Sequence, residues 1–94
     1  MVLALAIIHH LVIGKNVPLQ QVAETLNTLT EYLVIEFVPK EDEKVKQMLL
    51  HRKDIFPYYT VKAFEDIFGS FFEILQKVRV GETERVLFLM KKKN

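Results

Sequence analysis

The sequence contains no cysteine and no tryptophan. Without a thiol, disulfide bridges, thiolate zinc sites and cysteine nucleophiles are all excluded. Glycine and proline are scarce, with three of each. Gly14, Gly69 and Gly81 stand far apart, so there is no G-x-G turn to bring backbone against a nucleotide. Neither sign of charge dominates. Thirteen Lys and Arg against twelve Asp and Glu leave a net charge of +1, which builds no field for nucleic acid or acidic substrates. The one basic run, Lys91 to Lys93, reads as a frayed, solubilising tail. No apolar run approaches the ~20 residues of a membrane span, and the N-terminal stretch lacks a basic n-region and a small-residue cleavage site. The expectation is a cytoplasmic protein with neither nucleic acid nor membrane as partner.

Apolar residues are abundant instead: half of the 94 residues are hydrophobic and 11% are aromatic. A chain this short buries only ~60% of its unfolded surface. The composition therefore holds more apolar surface than one small fold hides easily. It points to a partner, to self-association or to a missing remainder.

The chain reads as alternating strands and helices. Val2 to Ile8 is a continuous apolar run of strand length, the pattern of a strand covered on both faces. Leu19, Val22, Ala23, Leu26 and Leu29 recur at helical spacing and predict a helix over about 18–30. Tyr32 to Val38 is a second buried-type strand, stopped by Pro39. Strand, helix and strand with short connections predict a parallel βαβ crossover. Glu41 to Glu43 then place negative charge at a helix start, where the macrodipole favours it, and that helix is expected to end near Arg52. Thr60 is a cap for a further helix with Ala63, Phe64, Ile67 and Phe68 inward, ending at Gly69.

The last third predicts a hairpin. Phe72, Ile74, Val78 and Val80 alternate with Glu73, Lys77 and Arg79, as in a half-exposed edge strand. Val86 to Met90 is apolar without interruption, as in a strand paired on both sides. The final strand therefore belongs inside the sheet and the penultimate one at its edge. There is no internal repeat or linker, so residues 1–94 form one partial α/β domain of order β-α-β-α-β-β.

That order, with LALAIIHHL, PLQQVAETL, LVIEFVPKED and the FEDIFGSFFEIL to ERVLFLM stretch, resembles the C-terminal half of class I S-adenosylmethionine-dependent methyltransferases. Within them it is similar to a bacterial methyltransferase-like group labelled nodulation-protein-related. The resemblance implies a Rossmann-like sheet, methyl transfer from S-adenosylmethionine, and ligands near the carboxyl ends of the strands. It also implies that the Gly-rich donor-binding half precedes this chain, so the 94 residues alone are expected to be inactive and to hold the donor weakly. Helices on one side only would leave an apolar sheet face and an unpaired first strand, which is an association site.

Three residues are candidates for chemistry. His9 and His10 follow the first strand at its carboxyl end, where open α/β sheets bind ligands. There they would act as a general base or orient a methyl acceptor. The plainer reading is a histidine hydrogen-bonded to backbone as the chain turns. A metal site is disfavoured because adjacent residues diverge. Glu36 interrupts an apolar strand, and a buried carboxylate needs a partner. It reads as an acid or base on the substrate side, or as the partner of Lys40 or Arg52. His51 reads as a surface residue. Phe56, Tyr58 and Tyr59 read as loop packing or as the wall of a substrate pocket. The rival to the methyltransferase reading is a stand-alone α/β interaction module that docks through its unpaired strand and apolar face.

Overall fold

Leu19, Val22 and Ala23, which share a helical face in the sequence, are all buried on the helix α1, Leu19–Leu29. The computed structural model describes residues 1–5, 7–50 and 56–93. Before α1 comes β1, Val2–Ala4, and after it β2, Tyr32–Phe37. The two strands pair in parallel, with Val2 opposite Leu33 and Ala4 opposite Ile35. Helix α2, Glu43–Leu49, starts at Asp42, whose carboxylate accepts the Lys44 N–H at 2.9 Å. Helix α3, Val61–Phe68, starts at Thr60, whose hydroxyl oxygen accepts the Ala63 N–H at 3.1 Å. Thr60 caps as predicted. The expected end of the preceding helix near Arg52, and His51 with it, lie outside the described residues.

Strands β3, Phe72–Arg79, and β4, Val86–Lys92, complete a four-stranded sheet of order β1-β2-β4-β3. The final strand is antiparallel to both of its neighbours. It sits inside the sheet, and the charge-bearing β3 is at the edge. Alternation along the strands divides the sheet into two unlike faces. Leu33, Ile35, Phe37, Phe88 and Met90 are fully buried on one. Phe64 of α3 packs there, with ring centroids 5.0 Å from both Phe37 and Phe88. The opposite face shows Leu3 at 65% exposure, with Val34, Leu87 and Leu89 only half-buried beside it. The α3 side is thus the filled face; the opposite face is open at Leu3 but covered at Glu36, which is 8% exposed there.

Three expectations need correction. The Val2 to Ile8 run is not one strand: pairing stops at Ala4, and Ile8 and His9 are helical and lead into a π-helical segment, His10–Gly14. Ile8, Val12 and Ile13 are the buried apolar residues there, a helical spacing that a short apolar run does not separate from a strand. The simple alternation of β3 also fails. The register shifts between Ile74 and Gln76, so Leu75 is the extra residue of a bulge. Val78 is thereby turned to the open face, 46% exposed, and pairs with Leu87. Finally, Lys91 to Lys93 are no frayed tail. Lys91 and Lys92 continue β4 because strands flank it on both sides, and Lys93 donates its side chain to the Gly69 carbonyl at 2.6 Å.

Candidate functional site

The carboxyl ends of β1 and β2 lie at one end of the sheet, and the chain delivers five polar side chains there. His9 is 2% exposed, held by the helical turn that buries Ile8 and Val12 around it. His10 is exposed and lies against His9, ring centroids 4.2 Å apart. Glu36 is 8% exposed near the end of β2. Its ion partner is Arg85, immediately before β4, with Nη1 3.8 Å from Glu36 Oε1. The sequence offers Lys40 and Arg52 for that role, and Arg52 lies outside the described residues.

Arg85 is engaged more closely elsewhere. Its Nε donates to Asp42 Oδ2 at 2.8 Å and its Nη2 to Asp42 Oδ1 at 3.2 Å. This two-pronged contact is the strong arginine–carboxylate geometry. One guanidinium therefore ties together the end of β2, the start of α2 and the start of β4. Asp42 is held below the usual carboxylate range, first by the Arg85 hydrogen bonds and further by the Lys44 N–H. Arg85 is correspondingly raised by Asp42.

His9 is a buried base with an idle nitrogen. Among the described residues its Nδ1 has no hydrogen-bond partner. The histidine satisfied by backbone that the sequence allowed is thus not what Nδ1 shows. Burial lowers the imidazole from 6.5 to about 4, helped by the His10 and Arg85 charges and opposed by Asp42. It is neutral in the folded chain at pH 7. The unfolded chain therefore binds the extra proton as pH falls from 6.5 to 4, and folding stability is lost across that window. The loss approaches about 3 kcal/mol. Urea melts at pH 7 and pH 4.5 measure it, and His9→Phe should flatten the difference; equal stability at both pH values would contradict the assignment.

Beside this cluster is a groove of 620 Å³ whose floor is Phe37 and Tyr59 and whose rim includes Lys40, Lys77 and Arg79. Tyr59 is buried and its hydroxyl donates to the Val38 carbonyl. Phe56 is buried as well, whereas Tyr58 is 40% exposed. Of the three loop aromatics, Tyr59 lines the groove. Lys77 is bound to Glu65 at 2.6 Å and Arg79 to Glu84 at 2.9 Å, so the rim is electrically balanced. Among the described residues no three His, Asp or Glu side chains converge to hold a metal ion. Nor, among them, is any helix long and apolar enough to cross a membrane.

The structure thus brings His9, His10 and Glu36 to one end of the sheet and adds Asp42 and Arg85, which sequence reading did not single out. The signal for Arg85 was present: a strand glutamate needs a cation, and pairing β2 with β4 sets Glu36 opposite Leu87, two residues from Arg85. No family model and no solved structure matches the chain. Over 87 residues it is 41% identical to Nodulation protein NoeA of Rhizobium meliloti (strain 1021). The match spans 93% of this chain but 18% of that protein, so the chain is similar to one segment of a much larger relative.

Proposed function

We propose that this chain carries the C-terminal portion of an S-adenosylmethionine-dependent methyltransferase-like domain. The observation that carries the reading is the strand order. A final strand inserted antiparallel between a parallel pair and an outer edge strand is the arrangement that the resemblance implies for that half of the fold. The 41% identity to a segment of a larger protein supports the reading of a portion.

The glycines of this chain do not fit a donor-binding loop, because each has a local task. A Cβ on Gly69 would lie 2.6 Å from the Glu65 carbonyl oxygen, inside the end of α3. Gly81 has φ +56° in the β3–β4 turn, a conformation that disfavours side chains. Gly14 abuts Met48, whose Cε would be 3.3 Å from an added Cβ. The donor is therefore gripped by residues other than these. What this chain contributes is the acceptor side, where exposed His10 receives or orients the acceptor group. Neutral His9 and the Glu36–Arg85–Asp42 set fix the wall behind it.

Calorimetry tests the division of labour. The 94-residue chain should show no micromolar binding of S-adenosylmethionine, whereas a longer protein with the donor half should bind it. In that longer protein, His10→Ala should reduce methyl transfer with donor affinity unchanged. Micromolar binding by the 94 residues alone would overturn the reading. The second reading, an interaction module, is favoured by one specific observation, the edge of β1, which is uncharged and has no further strand beside it among the described residues.

A further inference from the structure

The groove floored by Phe37 and Tyr59 is separate from the Glu36–Arg85–Asp42 set. Phe37 and Glu36 are neighbours on β2 and so lie on opposite faces of the sheet. The walls come from β2, β3, β4, their loops and the start of α3, and none from β1. The shape of the groove therefore does not depend on what lies beside the β1 edge. Its walls are pinned. The two floor rings stack at 4.9 Å, and the Tyr59 hydroxyl donates to the Val38 carbonyl just past β2. Arg79 donates to the Thr83 carbonyl at 2.8 Å and to Glu84 at 2.9 Å, and Lys77 lies 2.6 Å from Glu65. Pro39, Val61 and Val86 form apolar sides. On the remaining rim Lys40 is followed by Glu41. The cations Lys40, Lys77 and Arg79 are thus matched by the carboxylates Glu41, Glu65 and Glu84.

We infer that this groove is a binding site for an uncharged small molecule with an apolar ring and a hydroxyl group. Its 620 Å³ falls within the roughly 300–1,000 Å³ of small-molecule sites, and an apolar floor under a polar rim is their usual composition. Walls already held in place spare the ligand the cost of ordering them. The ring packs between Val61 and Val86 over the floor. The hydroxyl reaches the rim, where Glu41 and Glu84 accept. Thr60 donates there, since its oxygen accepts the Ala63 N–H and leaves its own proton for the ligand. A charged ligand would lose water over the apolar floor and meet rim charges that are already balanced. The inference stands on the groove and does not depend on the methyltransferase reading.

Amide chemical shifts of the isotope-labelled 94-residue chain test it, with benzyl alcohol, benzoate and benzylamine as probes that share one ring and differ in charge. Benzyl alcohol should bind with roughly millimolar affinity and shift the amides of Tyr59, Val61, Lys77 and Val86. Both charged probes should bind roughly tenfold more weakly. Val61→Trp should fill the groove and abolish binding, and it should keep the wild-type circular dichroism because Val61 is 37% exposed. Two reciprocal variants test the charge balance. Arg79→Met frees Glu84 and should improve benzylamine by about fivefold, whereas Glu84→Gln frees Arg79 and should improve benzoate by about as much. A longer protein that includes this segment should bind benzyl alcohol in the same way. The inference is overturned by a charged probe that the wild-type chain binds as tightly as the alcohol, or by shifts that map to Val22 and Leu26 instead. Absence of binding, binding that survives Val61→Trp, or a longer protein that covers the groove and does not bind would overturn it equally.

Discussion

Replacing Phe64 by alanine should cost about 4 kcal/mol, the largest effect of any single truncation in this chain. Phe64 is fully buried and stands at the junction of the aromatic core. Its ring centroid lies 4.4 Å from Phe68 and 5.0 Å from Phe37 and Phe88. It therefore ties α3 to β2 and β4 together. Phe37 in turn stacks on Tyr59 at 4.9 Å, and Phe68 continues to Phe72 at 6.2 Å. Removing the central ring opens a cavity that rings fixed on separate elements are poorly placed to fill. Domains of this size have about 5–10 kcal/mol to lose in total, so the variant should be largely unfolded at moderate urea. Phe64→Leu, which keeps most of the volume, should lose much less. A Phe64→Ala chain with a wild-type urea midpoint would show that the aromatic junction is not the centre of the core.

Arg85→Ala should be the second large effect, at about 3 kcal/mol near neutral pH. The guanidinium is the ion partner of Glu36 and makes two hydrogen bonds to Asp42. Its removal leaves two carboxylates close together and mostly shielded from water. The pH dependence identifies the cause. In the wild-type chain Asp42 is depressed by Arg85, so its stabilising contribution is present above pH 3.8 and lost as pH falls through its lowered value. Without Arg85 that contribution is absent throughout, so the gap between variant and wild type should narrow in acid. Asp42→Asn combined with Arg85→Met should recover part of the loss, because only Glu36, and no longer both carboxylates, then lacks its cation. An Arg85→Ala cost that stays constant from pH 7 to pH 3.5 would mean lost packing rather than lost charge. By contrast, breaking the exposed Lys62–Asp66 pair, 3.8 Å apart, should change stability little.

Much of the architecture was legible before the tertiary structure. The uninterrupted apolar run at Val86 to Met90, set against the charges of β3, identified which hairpin strand is inside. The physical reason is that a strand with neighbours on both sides has no edge to protect with charge. The helical spacing of Leu19, Val22 and Ala23 and the capping position of Thr60 were equally readable, because both depend on residues within a turn or two of each other.

What only the tertiary structure decided depends on partners distant in sequence. The first apolar run divides into a three-residue strand and a helical turn, since its length and composition suit either form and packing chooses. That division moves His9 from the exit of a strand into a buried turn and leaves His10 in solvent. The bulge at Leu75 is set by register against β4, and it turns Val78 to the open face. The contact between Glu36 and Arg85 exists because β2 and β4 pair, although the sequence contains both residues plainly. The sequence by itself determined the elements, their order and the excess of apolar surface. Tertiary pairing decided which side chains meet, because electrostatic and packing energies are fixed by distance in space, and local pattern carries no distance between residues so far apart along the chain.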